Sequence, residues 1–333
     1  MIDQHAKSLA FTQLQPSTQQ HYRDYAKAIK AYPLKNGTVL GAAVVDRLSP
    51  GFIRRLIDVI AQGRPGLKPG DRAIPGYPTK ANHWLRYLRR VFGWAREHDH
   101  VTTNPAAGIK QVKEKSAHRM PAVDVFRKVQ AYAKECSVRG PRAKGAVPAY
   151  LWAAMELAYQ ARLRGIEVRT LTDHHVEGEV LQTNRRKGSR DNLVRKGEQT
   201  EIAIKVLQDR RAAIWAKRGI NQFNAPLLPK MRPLFVSEDG EMLTAHGWHT
   251  AWGRLMRNAV REKVIAADER FALHGLKHRG VTDTDGNKKE ASGHKTDAML
   301  HVYDHSLPVV EESSSGAPME KLSTKPLRRP LKG

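Results

Sequence analysis

Cysteine is nearly absent. Cys136 is the only one in 333 residues, which excludes an internal disulfide framework and any zinc site built from several thiolates. It is expected to be a half-buried helix thiol. No run of about 20 apolar residues occurs, so no membrane-spanning helix is expected. The opening MIDQHAKSLAFTQ also lacks the apolar stretch of a signal peptide, and a cytoplasmic protein is the expectation. Acidic residues are scarce as well, 33 Asp and Glu against 57 Lys and Arg. The formal charge of +24 exceeds what solubility needs and has the sign that attracts phosphate polymers. Nucleic acid therefore leads as partner, ahead of an anionic membrane surface.

What is present is mostly helical pattern. A hydrophobic content of 40% is ordinary for a globular chain of this length and suffices for two modest cores. PSTQQHYRDYAKAI can start a helix from a Ser17 or Thr18 cap, and SPGFIRRLIDVIAQG is opened by Ser49-Pro50 and closed by Gly63. GRPGLKPGDRAIPGYP reads as loop. In TKANHWLRYLRRVFGWAREH, Trp84, Tyr87, Leu88, Val91, Phe92 and Ala95 recur at the spacing of one helical face. Arg86, Arg89 and Arg90 fall largely off that stripe, as a DNA-facing row or as a solvated face.

The charged KQVKEKSAHRM before Pro121 reads as an interdomain linker. Beyond it, PAVDVFRKVQAYAKEC and PAYLWAAMELAYQARL look like buried helices. EVLQTN and NLV form a hairpin around RRKGSRD, with Gly188 supplying the turn conformation. QTEIAIKVLQDRRAAIWAKRG returns to helix, LFVSEDGEMLT is a short strand and turn, and AHGWHTAWGRLMRNAVREK turns Trp248, Trp252, Leu255 and Met256 inward. The second domain is thus mixed but mainly helical. The end, EESSSGAPMEKLSTKPLRRPLKG, is polar and Ser/Pro-rich, the composition of a segment disordered until bound.

Cations gather beside helix ends and turns. ARLRGIEVRTL places Arg162 and Arg164 between two helices, with Glu167 three residues on; Lys187 sits at the hairpin tip; HGLKHRG supplies His274, Lys277, His278 and Arg279; ASGHKTDAMLHVYDH supplies His294 and Tyr303. Singly, each has a bland explanation: Arg164 pairing with Glu167, Lys187 solvated, His294 satisfying a helix cap. Together they cover the roles of phosphodiester chemistry. An arginine fork can hold nonbridging oxygens, an acid can protonate the leaving oxygen, and a nucleophile can attack. HGLKH also has the H-x-x-x-H spacing that puts two imidazoles on one helical face, repeated at His301 and His305. The hydrolase form carries glutamate where Gly275 stands, and Lys277 would repel a dication, so no metal is expected.

The order R-x-x-E, a hairpin lysine, H-x-x-K, then G-H with a tyrosine nine residues after that histidine resembles the tyrosine recombinases, or phage integrases. HGLKHRGVTDT, EASGHKTDAML and VYDH look especially like integrases of phages and prophages of Gram-negative bacteria. The resemblance implies a mainly α fold with a small β-sheet, a helical core-binding domain joined to a mixed α/β catalytic domain. Residues 1–14 would be an N-terminal extension, 15–110 the core-binding domain, 111–120 the linker, 121–308 the catalytic domain and 309–333 a tail.

The same resemblance implies roles. Tyr303 would attack a scissile phosphate to leave a 3′-phosphotyrosyl bond and a free 5′-hydroxyl. Arg164 would clamp the nonbridging oxygens, Lys187 would protonate the departing oxygen, and His274 and His294 would hydrogen-bond the phosphate and assist proton transfer. Neither ATP nor a metal or other cofactor is implied. The partners would be double-stranded attachment sites and three further copies of the chain in a tetramer on DNA, with a directionality factor and a DNA-bending protein as candidate helpers.

The family's second arginine should follow His274 by three residues, where this chain has Lys277. Lysine keeps the charge but loses the bidentate fork. Arg279 would project about 200° from Lys277 around a helix, so Lys277 itself is expected to serve. Arg86, Arg89, Arg90, Arg185, Arg186 and Arg279 are the candidate DNA-binding residues. Two other activities stay open: a recombinase that resolves DNA dimers, and a noncatalytic DNA-binding protein that kept the clamp. The tail can dock on a neighbouring copy or simply add basic charge.

Overall fold

A computed structural model describes residues 1–66, 72–114, 120–140, 143–221 and 223–306. Among the described residues the fold is mainly helical with two small antiparallel sheets. The chain divides into two compact units, Met1–Ala117 and His118–Gly333. Among the described residues no helix is long and apolar enough to cross a membrane. The 309–333 tail lies outside the described residues.

In the first unit, the helix Pro50–Gln62 begins as its sequence directs: Ser49 Oγ accepts from Phe52 N at 3.2 Å, Pro50 takes the first turn, and Gly63 ends it. Pro78–Glu97 buries its whole apolar stripe from Trp84 to Ala95. The helix Pro16–Lys30 starts earlier than a Ser17 or Thr18 cap would have it, because Pro16 occupies the first turn and Gln15 becomes the cap. The expected loop after Gln62 contains a two-residue pairing of Gly63–Arg64 with Ile74–Pro75.

Residues 1–14 are not an extension set apart from this unit. They form two short helices, Ile2–His5 and Leu9–Thr12, and Phe11 and His5 are buried. The His5 ring meets Tyr87 and Trp94 edge-on, with centroids 6.2 and 5.7 Å apart. Burial holds this imidazole down to about 4, so it packs as a neutral ring. The start of the expected linker is docked too. Asn82 exchanges hydrogen bonds with the Val112 backbone, and Glu114 accepts from Thr79 and Asn82; residues 115–119 lie outside the described residues.

In the second unit the helix Tyr150–Gln160 is buried on every side from Tyr150 to Ala158, as a central core helix should be. Its Glu156 is tolerated because Arg127, Gln130 and Gln160 donate to the carboxylate. Around this axis pack Val123–Ser137, Glu198–Lys217, Ala245–Arg261 and Leu273–Thr282. Trp248, Trp252, Leu255 and Met256 all face inward. Cys136 is fully rather than half buried, since its helix turns that side into the core.

The hairpin pairs Val180–Gln182 with Leu193–Arg195, Leu181 opposite Val194. At its tip Lys187 and Gly188 both have positive φ, 57° and 76°, and Ser189 N bonds Arg186 O at 3.3 Å, the pattern of a primed turn. Gly188 takes that conformation freely; Lys187 does so at a steric cost.

Candidate active site

Arg164 is the cap residue that opens the short helix Gly165–Arg169, so its backbone is fixed while its side chain is free to reach. Glu167 accepts from Arg164 N and Nη1, each at 2.8 Å, and from Arg186 N at 2.8 Å. Burial alone would raise this carboxyl, but the Arg164 hydrogen bonds and the charge of Lys277 hold it below the usual carboxylate range. Arg164 Nη1 also donates to Arg186 O at 3.1 Å, and both terminal nitrogens lie 3.4 Å from Ser189 Oγ. Glu167 thus fixes the guanidinium and the hairpin turn as one piece.

Tyr303 follows the five-residue helix Asp297–His301, whose start is capped by Thr296 Oγ1. Its hydroxyl accepts a long hydrogen bond of 3.4 Å from Arg164 Nη2, and the ring is buried. His278 and His294 each stack on that ring with centroids 4.5 Å apart, and His274 meets it edge-on at 5.7 Å. Lys277 Nζ stands 5.1 Å from the ring centre.

His294 follows Gly293, whose φ of 70° closes the helix Lys288–Ser292. A Cβ on Gly293 would come within 2.3 Å of Arg190 O and 2.6 Å of Arg185 Cδ, so the pairing of glycine with histidine has a steric reason. Ser292 Oγ and His294 Nδ1 share a 2.8 Å hydrogen bond that orients the imidazole.

The electrostatics of the site are dominated by buried cations. Lys277 is 0% exposed, and its Nζ has no hydrogen-bond partner among the described residues; His294 Nε2 has none either. Burial, then Arg164 and Arg185, bring the Lys277 ammonium down to about 7. Burial followed by Lys277 and Arg164 lowers His274 and His294 to about 4, so both are neutral at pH 7. The nearby carboxylate, Glu167, is already occupied by three donors. A phosphate oxygen would offer these groups a counter-charge and an acceptor together.

The structure therefore gathers Arg164, Lys277, His274, His294 and Tyr303. Lys187 sits exposed at the turn whose neighbours, Arg186 and Ser189, are bonded to Arg164. Arg279 is turned away and forks onto Asp283 one helical turn on. Arg186 is exposed, but Arg185 is directed inward. Its guanidinium donates to the carbonyls of Ala161, Arg162 and Ala291 and to Asn192 Oδ1, and burial lowers it to about 10. It braces the hairpin against the neighbouring segments rather than facing solvent.

The first unit's arginines also divide. Arg86 and Arg90 are both exposed, Arg86 bonding back to Asn82 O one turn earlier and Arg90 to Ala10 O, whereas the half-buried Arg89 holds the carbonyls of Ala106 and Ile109. Side chains with a place in the site and no assigned role are Ser189, Ser292, His278 and His305. For His278 the available signal was its four-residue spacing from His274, which puts both rings on one helical face. Among the described residues no group of His, Cys, Asp or Glu converges as a metal centre would require.

Neither a family model nor a curated protein sequence matches the chain. Solved structures do. A lambda integrase dimer bound to a COC′ core site aligns with a TM-score of 0.63 at 16% identity, over 93% of this chain and 79% of its own. The Tn1549 transposon integrase in complex with circular intermediate DNA gives 0.62 at 14% identity, over 89% of this chain and 92% of its own. A lambda integrase tetramer bound to a Holliday junction gives 0.61 at 16% identity, over 93% of this chain and 79% of its own. The chain has the tyrosine-recombinase fold.

Proposed function

We propose that the protein is a site-specific DNA recombinase, an integrase of the kind carried by phages and prophages of Gram-negative bacteria, acting through a covalent 3′-phosphotyrosyl intermediate. The observation that carries this reading is the placement of Tyr303. Its hydroxyl bonds Arg164 beside a buried, acceptor-less lysine and neutral imidazoles.

In the proposed step Tyr303 Oη attacks phosphorus as its proton passes to a neutral imidazole, His274 or His294. The bond from phosphorus to the 5′-oxygen breaks, and Lys187 gives that oxygen a proton. Arg164 and Lys277 would hold the nonbridging oxygens, with His274 and His294 hydrogen-bonding the phosphate and assisting proton transfer. A 5′-hydroxyl from another strand can then attack the phosphotyrosine and restore a phosphodiester, with neither ATP nor metal consumed. Two such rounds in a tetramer on paired attachment sites, through a Holliday junction, complete an exchange for integration or excision. The neighbours crystallised on a core site and on a junction support this partner class; a directionality factor and a bending protein belong to the same scheme. Resolution of DNA dimers would use the same chemistry on other sites.

The test mixes the protein, in EDTA, with nicked duplexes spanning the junctions of its host element, and looks for a DNA adduct that survives SDS. An adduct lost in Tyr303→Phe is the expected result. One observation favours a second reading, a DNA-binding protein that kept the clamp without the chemistry: the second cation is Lys277 rather than arginine. Tight, salt-sensitive binding to the same duplexes with no adduct would select it.

A further inference from the structure

The segment carrying Tyr303 is fastened to its own chain just past the tyrosine. His305 N donates to Thr282 Oγ1 at 3.1 Å, and Lys288 Nζ reaches Asp304 at 3.0 Å and Ser306 Oγ at 2.9 Å. A third fastening involves the site itself. His278 Nδ1 and His305 Nε2 share a 3.0 Å hydrogen bond, and the same His278 ring stacks on Tyr303 at 4.5 Å. One imidazole thereby touches both the phenol and the backbone segment that positions it.

We propose that His278 and His305 form a latch that positions the Tyr303 phenol for attack. The idea rests on the reading of Tyr303 as nucleophile. The preceding helix, Asp297–His301, has five residues, too few to hold a fixed orientation without tertiary support. His278 lies on the longer helix Leu273–Thr282, which packs on the central core helix. A bond from this helix to the residue two beyond Tyr303 transfers that rigidity to the phenol. His305 is exposed, so the bond adds little burial of its own and its consequence is positional. Small displacements of a reacting group can cost about a hundredfold in rate.

The full-length protein would be assayed on a nicked duplex for DNA affinity and for the single-turnover rate of adduct formation. His305→Ala is expected to slow adduct formation about tenfold with affinity unchanged. His305→Gln, whose amide can still bond Nδ1, is expected to recover most of the rate. His278→Phe keeps a stacked ring but loses the bond, so it should match His305→Ala, and the double variant should be no slower than either. Amide hydrogen exchange around residues 302–305 should rise in His305→Ala without DNA. A His305→Ala protein that cuts as fast as the unmodified one, losses that multiply in the double variant, or unchanged exchange would each overturn the latch. Failure of the underlying reading is distinguishable: the unmodified protein then gives no adduct, or the adduct survives Tyr303→Phe.

Discussion

Lys277 concentrates the chemistry of this site in one side chain. An arginine there would stay charged at any working pH and offer two parallel donors; the lysine amine can discard its proton. Its ordinary value of 10.5 falls to about 7 because it is buried among Arg164 and Arg185. Between those two values the unfolded chain carries a proton that the folded chain does not. The group's contribution to stability is therefore greatest above 10.5 and is lost as the pH falls through about 7. An anion reverses the preference, since its charge favours the ammonium, so phosphate binding takes up a proton. Affinity for inorganic phosphate, or for nicked duplex, should fall as the pH rises above about 7, by at most about tenfold per pH unit. Lys277→Arg should flatten that slope; an unchanged slope in the variant would place the titration elsewhere. Arg164, Lys277, His294 and Tyr303 were legible as types at fixed spacings. The loss of charge was not, because desolvation depends on what packs around the amine and no local spacing encodes it.

At the scale of elements, the short helices and turns act as spacers that set where the side chains of the candidate site stand. The helix Lys288–Ser292 ends at Gly293 in the left-handed region, and the tight approach to Arg185 and Arg190 there joins the hairpin to the histidine that follows. Gly293→Ala combines an unfavourable φ with a clash against backbone. It should destabilise the protein by more than about 1 kcal/mol and displace His294, so that thermal melting and adduct formation fall together. A variant that melts normally and cuts normally would remove the glycine from this account. Caps and turns of this kind were readable: Ser49-Pro50, Gly63 and Gly188 stand where local sequence puts them. What escaped were partners distant in sequence. Arg185 has the same cationic signature as Arg186, yet it meets three carbonyls from two other places in the chain. The segments 1–14 and 111–114 joined the first unit through contacts that lie outside any local pattern.

Over the whole molecule, the charge of +24 predicts DNA affinity that weakens steeply with salt. Each phosphate contact contributes a slope of about −0.9 in a log–log plot. The exposed Arg86 should account for about one such contact, so Arg86→Ala should flatten the slope by about 1. Arg89→Ala should instead lower the melting temperature, since that guanidinium holds the carbonyls of Ala106 and Ile109. The reverse pattern would exchange their roles. One feature reaches beyond the single chain. Because Tyr303 and the segment after it are tied to Thr282, Lys288 and His278 of the same polypeptide, each copy would, under the proposed function, carry its own blade. In a mixed population, a damaged copy would then forfeit one cut and borrow none from its neighbours. An exchange that needs every copy of a tetramer to cut would then fail with a single defective member, so damage that is recessive for cleavage becomes dominant for recombination.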